Sequence, residues 1–125
     1  MQAKELKKFD LRFSRSIYIP VAKGVMGTVR DQQEREAFIA ALVDVAGGVT
    51  ITPCNGYWNG QHAVMHERVE KLTVWFGTKA QRREVSALFL DYTKHLLNTG
   101  EEAVFREWSS GSQSGALVYS EGDDE

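Results

Sequence analysis

The chain has 125 residues, of which 42% are apolar and 26% are charged, and its net charge is −2. This size and composition are typical of one globular domain with its own core, and they exclude a chain that is disordered throughout. No run approaches the roughly 20 apolar residues of a membrane span, and the charged start lacks the apolar stretch of a signal peptide. We therefore expect a soluble, cytoplasmic protein that does not bind a membrane.

Charge is unevenly distributed along the chain. Basic side chains dominate the first 30 residues, whereas residues 121–125 consist of carboxylates and one glycine. Short charged termini are usually hydrated and frayed. The predicted organisation is therefore a basic arm over 1–10, one α+β domain over 11–120 and an acidic tail over 121–125.

Cys54 is the single cysteine. It cannot form a disulfide within the chain, and a zinc site built from cysteines is excluded. We expect Cys54 to be a buried thiol, and we predict neither a metal site nor a cofactor.

The first strand and the first helix follow from the spacing of apolar residues. Apolar residues alternate from Phe13 to Val21, which is the period of a half-buried strand. Over residues 31–46 they recur at helical spacing, with Asp31 as the expected N-cap and Gly47 as the left-handed stop. The sequence therefore predicts a strand followed by an amphipathic helix.

A β-hairpin is predicted next. Asn59-Gly60 is the favoured pair for a two-residue type I′ turn, and a hairpin centred on it places Ile51 opposite Arg68. In this register Ile51 shares a face with the alternating apolar residues that end at Phe76. Turn chemistry and apolar alternation thus agree on which face of the hairpin is apolar.

A second helix and one or two strands complete the domain. The helix extends from about Thr78 to Asn98 and begins with the capping pattern Thr78-x-x-Gln81. A strand over 103–108 follows, and residues 116–119 can return as an extra edge strand. Two crossover helices on one face of a mostly antiparallel sheet form the split βαββαβ, or ferredoxin-like, arrangement, so we predict this α+β fold with the other sheet face uncovered.

Part of the chain also resembles a known pattern. A glycine-led strand runs to a Gly-x-Trp turn, a Glu-Arg strand follows, and a helix carries a central tyrosine; the residues are Gly48, Gly56, Trp58, Glu67, Arg68 and Tyr92. This order, over residues 15–108, is similar to a family of small bacterial ferredoxin-like domains of unknown function. The resemblance implies the fold and brings no activity with it.

The densest group of reactive side chains lies at the tip of the predicted hairpin. The candidate catalytic residues are His62, His66 and Tyr57, and the other tip residues are Trp58, Glu67 and Arg68. A histidine beside a tyrosine can perform acid–base chemistry, but no nucleophile motif or carboxylate pair accompanies these residues in the sequence. Histidines four residues apart on a strand lie about 13 Å apart, which is too far to share a metal.

The uncovered sheet face is the second candidate surface. Alternation assigns to it the predicted partner-binding residues Tyr18, Thr73, Trp75 and Trp108, with Val104 as the alternative to Trp108. Exposed aromatic residues on a sheet suit self-association, hence a homodimer, and they also suit base stacking on a single-stranded nucleic acid. The negative net charge and the lack of a basic RNA-binding signature disfavour the nucleic acid.

Two weaker signals remain. The loop from Lys23 to Thr28 contains a Gly-x-x-Gly pair, which we interpret as a flexible connection. Lys79, Arg82 and Arg83 begin the second helix, where the helix dipole favours acidic groups, and we interpret them as its solvated face.

These observations predict a small non-catalytic binding module that self-associates through its uncovered sheet face. A phage-like accessory protein that inhibits or regulates a protein partner fits this description. The alternatives are a small dimeric α/β-barrel enzyme, such as an isomerase or monooxygenase, that uses the hairpin histidines and tyrosine, and a single-stranded nucleic-acid binder that uses the sheet aromatics.

Overall fold

The computed structural model describes residues 6–8, 10–59, 62–110 and 113–119. Its elements, in chain order, are β1 Phe13–Pro20, α1 Val29–Ala46, β2 Thr50–Asn59, β3 Val64–Phe76, α2 Lys79–Asn98, β4 Val104–Ser109 and β5 Gln113–Val118. A 3-10 turn, Val21–Lys23, connects β1 to α1. Much of the predicted basic arm and the whole acidic tail lie outside the described residues. No helix in the described part is long and apolar enough to cross a membrane.

The five strands form one antiparallel sheet in the order β2-β3-β1-β4-β5. Both helices pack on the same face of this sheet, because buried side chains of α1 and α2 belong to one core cluster with those of β1 and β3. This is the predicted ferredoxin-like arrangement with an additional edge strand. We call the side under the helices the covered face and the other side the open face.

The core lies between the covered face and the helices. Its strand residues are Ile17, Ile19, Leu72, Val74, Phe76 and Val104, and its helix residues are Phe38, Leu42, Val85, Phe89, Tyr92 and Leu96. Phe38 of α1 stacks on Tyr92 of α2 at 4.3 Å between ring centroids and meets Phe89 edge-on at 5.5 Å. Aromatic contacts of this kind fix how the two helices sit against each other.

The helix ends confirm one capping prediction and correct the other. Thr78 and Gln81 form the predicted capping box of α2, and Gly47 ends α1 with a positive φ of 88°. At the start of α1, however, Thr28 is the N-cap, and Asp31 is the third helical residue whose carboxylate accepts from the Thr28 N–H at 3.2 Å. The helix therefore begins earlier than the apolar period indicates, because Thr28 offers the capping hydroxyl.

The hairpin register differs from the predicted one. Ile51 pairs with Leu72, not with Arg68, and Asn59 pairs with Val64. The connection is therefore residues 60–63, of which Gly60 and Gln61 lie outside the described residues. The observed register aligns β2 with the apolar half of β3 that also pairs with β1. Since both registers keep the same faces, alternation alone could not separate them.

The far end of the hairpin forms a protruding ribbon. β3 has 13 residues, but only Val69–Phe76 pair with β1. The remaining residues of β3 pair with β2 alone, so residues 55–59 and 64–68 form a two-stranded extension that we call the ribbon. Two-stranded ribbons contribute little stability of their own, and their exposed side chains are free to meet a partner.

Candidate functional site

The open face carries a polar network at its centre. The Tyr18 hydroxyl donates to Glu107 Oε1 at 2.8 Å, and Lys71 Nζ lies 3.3 Å from Glu107 Oε2 and 5.6 Å from the centre of the Tyr18 ring. Burial and the hydrogen bond to Glu107 raise the pKa of Tyr18. Beside this network Ser16 and Thr73 share a hydrogen bond of 2.8 Å. These polar side chains of the central strands thus find hydrogen-bond or ion-pair partners within the sheet.

Exposed apolar side chains surround this network. Trp75 is 46% exposed and Phe105 is 40% exposed, and Phe105 packs against Tyr18 at 5.3 Å between ring centroids. Leu117 of β5 pairs directly with Phe105 and extends the apolar surface to the sheet edge. A patch of this kind on one face is typical of a surface that meets another molecule.

Three of the four predicted partner-binding residues, Tyr18, Thr73 and Trp75, lie on the open face. Trp108 lies on the covered face. It pairs with Arg15, which shares the face of the core residue Ile17 on β1. The alternative, Val104, is in the core at 2% exposure. Phe105 and Glu107 lie on the open face where Trp108 or Val104 was predicted. The alternation of β4 is thus shifted by one residue, which exchanges its two faces.

The covered side of the ribbon holds a stacked pair. Tyr57 and His66 pair directly, with ring centroids 4.6 Å apart, and His66 Nε2 lies 3.0 Å from Asn55 Oδ1. Arg68 follows on the same side, whereas His62 lies in the exposed connection outside the strands. Tyr57 is 69% exposed, so the pair lies at the surface and not in a closed pocket.

The open side of the ribbon holds an aromatic ring and a carboxyl. Trp58 and Glu67 lie on this side in the β2–β3 register, and Cys54 lies on the same face just before the ribbon begins. Burial raises the pKa of Glu67, and burial together with the Glu67 charge raises the pKa of Glu101 in the loop before β4. Two partly desolvated carboxyls therefore influence each other here. Glu101 was not predicted, since it lies far from the hairpin in the sequence.

Cys54 corrects a further expectation. Its thiol is half-buried, not buried, and its Sγ donates weakly to the Thr52 carbonyl at 3.5 Å. Within the described residues no group of three or more His, Cys, Asp or Glu side chains is placed to hold a metal ion.

A polar cleft of about 600 Å³ lies between the start of α1 and the end of α2. Lys23 donates to the Thr99 carbonyl at 2.6 Å, and His95 Nε2 lies 3.5 Å from Asp31 Oδ1 without forming a hydrogen bond. Burial acts to raise the pKa of Asp31, but the Thr28 hydrogen bonds and the charges of Lys23 and His95 outweigh it and lower the pKa. The Gly-x-x-Gly loop is packed here, since a Cβ on Gly27 would lie 2.7 Å from Asp31 Cβ.

No family model matches the sequence, and no curated protein matches it. Among solved structures, the chain is similar to a phage SAM (S-adenosylmethionine) lyase in its apo state, with a TM-score of 0.62 and 15% identity over 97% of this chain and 100% of that chain. The phage SAM lyase in complex with S-methyl-5′-thioadenosine gives 0.60 and 14% over 94% and 97%. CutA from Synechococcus elongatus gives 0.43 and 15% over 86% and 75%. At these identities the chain shares a fold with the two lyase structures.

Proposed function

We propose that this protein is a small lyase that binds S-adenosylmethionine and cleaves it to S-methyl-5′-thioadenosine. The observation that carries the proposal is the pair of partly desolvated carboxyls, Glu67 and Glu101. Glu67 lies on the same side of the ribbon as Trp58, and the fold of the chain is similar to that of the phage SAM lyase over nearly its full length. The principal chemical groups are then these two carboxyls and not the histidines of the hairpin.

The ligand has three features that these residues can recognise. Its sulfonium and ammonium groups are cations, and a partly desolvated carboxylate attracts a cation more strongly than one in water does. Its adenine offers a flat ring for stacking, and Trp58 is exposed on the same side of the ribbon as Glu67. Aromatic faces also attract cations such as a sulfonium. Glu67 and Glu101 would thus hold the charged end while a ribbon aromatic holds the base.

Cleavage requires one bond to break. When the bond between the sulfur and the γ carbon of the methionine part breaks, the electron pair passes to sulfur and the sulfonium becomes a neutral thioether. The four-carbon amino-acid part leaves as a lactone, because its own carboxylate attacks the γ carbon and the new C–O bond forms as the C–S bond breaks. The task of the protein residues is to bind and orient the substrate for this step.

The proposal is tested by incubating the purified full chain with S-adenosylmethionine and following S-methyl-5′-thioadenosine by liquid chromatography. We expect product formation by the wild type and a fall of about tenfold or more for Glu67→Gln, since a charge-assisted contact to the substrate is lost. Glu84→Gln, which changes an exposed carboxylate on α2, is the matched control and should keep full activity. Equal rates for Glu67→Gln and wild type, or no product from a folded wild type, would contradict the proposal.

The exposed aromatic residues of the open face favour a second candidate, a self-associating interaction module without catalysis. Burying Trp75, Phe105 and Leu117 against a second copy would remove this apolar patch from water. Such a homodimer could also regulate or inhibit a protein partner, in line with a phage-like accessory role.

Light scattering tests this candidate. We expect the wild type to elute as a homodimer and Trp75→Glu to elute as a monomer, whereas Leu90→Glu, at an equally exposed position on α2, should leave the mass unchanged. A monomeric wild type rejects the candidate. A gel shift of single-stranded DNA or RNA at low salt that Trp75→Ala abolishes would instead favour the nucleic-acid alternative.

A further inference from the structure

A second cleft, of about 550 Å³, lies at the start of α2 on the covered side of the sheet. It is lined by Arg15, Lys79, Arg82, Arg83 and Ser86. Arg82 is held over the Phe13 ring, with its guanidinium carbon 5.6 Å from the ring centroid. Arg106 lies next to this group, one strand over from Arg15. Five basic side chains from β1, β4 and α2 thus lie close together. We call them the basic cluster: Arg15, Lys79, Arg82, Arg83 and Arg106.

The basic cluster has no counter-charge in the part of the chain that the structure describes. None of its members lies within 4.0 Å of a described carboxylate, although other basic residues do form such pairs. The Nε of Arg106 is buried and has no hydrogen-bond partner among the described groups. Burial lowers the pKa of Arg15, and the charges of Arg106 and Arg82 lower it further. Arg15 and Arg106 are thus partly desolvated cations beside exposed ones, and an anion at this place would relieve their repulsion.

The location adds to this attraction for an anion. The first turn of α2 contains no acidic residue, and its partial positive charge faces the same end of the sheet. Guanidinium groups donate in pairs to phosphate oxygens, and several of them can share a chain of phosphates. Trp108 pairs with Arg15 on the same face and offers a ring beside the cluster.

We propose that the basic cluster binds a small phosphate-rich anion, either a nucleoside triphosphate or an inorganic polyphosphate. Both ligands present the same chain of phosphates, and the compact cleft accommodates a ligand of this size. The site is separate from the ribbon carboxyls Glu67 and Glu101, because it lies at the opposite end of β3 beside Phe76 and on the other face. A test of anion binding therefore gives its result independently of the test of the proposed lyase activity.

Calorimetric titration of the full chain with ATP and with tripolyphosphate, at low salt, tests the proposal. We expect binding that weakens at least tenfold in Arg15→Gln/Arg82→Gln, because each lost guanidinium removes a charge-assisted hydrogen bond. Lys94→Gln, an exposed cation at the other end of α2, is the control and should bind as the wild type does. Equal affinity for both ligands indicates that only phosphates are recognised, and tighter ATP binding indicates that the nucleoside contributes.

Thermal unfolding provides a second measurement, which also reports whether the double variant folds. Tripolyphosphate should raise the Tm of the wild type and leave that of Arg15→Gln/Arg82→Gln unchanged, because the variant has lost the site. Without ligand the variant should be at least as stable as the wild type, since mutual repulsion is relieved. Absence of binding to either anion, equal loss in Lys94→Gln, or binding of single-stranded nucleic acid with no affinity for the small anions would overturn the proposal.

Discussion

The two faces of the sheet differ in their residue types and in their exposure to solvent. On the covered face, Ile17, Leu72 and Val74 are fully buried, and their contribution is to the free energy of folding. On the open face, Glu107 holds the Tyr18 hydroxyl, and Trp75 leaves 46% of its surface in water. One layer of strands can therefore carry a packed core on one side and exposed aromatic side chains on the other, so that substitutions on the open face need not destabilise the fold.

The largest expected effect is on an ion pair that links α1 to the sheet. Arg35 donates to Glu70 through Nε at 2.9 Å and through Nη2 at 3.0 Å, and the two side chains are only 9% and 14% exposed. Arg35→Ala should cost about 3–5 kcal/mol in the free energy of unfolding, because it leaves the Glu70 carboxylate buried and unpaired. Lys71→Ala on the open face should cost at most about 1 kcal/mol. Urea unfolding measures both losses of stability. Similar losses would show that the open-face ion pair matters as much for stability as the pair under the helices.

A core residue and its open-face neighbour on β3 give the next contrast. Leu72→Ala should lose about 2–5 kcal/mol of stability through lost burial and a cavity. Trp75→Ala should lose about 1 kcal/mol in the monomer, since about half of the Trp75 side chain is already in water. Urea unfolding of both variants at low protein concentration measures the difference. A loss for Trp75→Ala that equals the Leu72→Ala loss would show that the open face belongs to the core.

Two carboxyls should respond to pH with opposite sign. The pKa of Asp31 is lowered in the fold, so its ionised form stabilises, and that contribution disappears as the pH falls through the folded-state pKa. The pKa of Glu67 is raised by burial, so its ionisation destabilises as the pH rises above about 4.3, the ordinary glutamate value. At pH 7, Asp31→Asn should therefore be less stable than the wild type and Glu67→Gln more stable. Thermal unfolding between pH 3 and pH 7 should show both differences shrinking in acid; differences that persist unchanged would rule out these charges as their cause.

The smallest effect concerns Cys54 on the open face. Cys54→Ser should change stability by less than about 0.5 kcal/mol, because the thiol is only half-buried and makes one weak hydrogen bond. The native thiol should react with an aromatic disulfide reagent without unfolding of the domain, because it is partly exposed. Reaction only at the rate of global unfolding would place Cys54 inside the core instead.

The fold was predictable where local chemistry decides it. Thr78 and Gln81 are three residues apart, so their capping box can be recognised without knowing the tertiary structure. The strand order follows from two crossover helices and one hairpin. The hairpin register was not predictable from Asn59-Gly60, because pairing of Ile51 with Leu72 across the sheet outweighs the preference of a turn.

The candidate sites were harder to predict because they combine distant segments. The face of Trp108 depends on how β4 pairs with β1, and a shift of one residue inverts it. Glu101 meets Glu67, and Arg15 meets Arg82 and Arg106, only after the chain has folded. The sequence identified Trp58, Glu67 and Trp75 as individual residues, whereas their partners come from tertiary structure. The resemblance to small bacterial domains with a Gly-x-Trp turn stays a prediction.

The long strand β3 belongs to two environments at once. Residues 69–73 of this strand lie between β1 and β2, and residues 64–68 have only β2 as a neighbour. Amide hydrogens along this single strand should thus exchange with solvent in a gradient, slowest near Leu72, which pairs on both sides, and fastest near Val64. The ribbon could then fray, bend or seat itself on a neighbouring surface while the far end of the same strand keeps the domain folded.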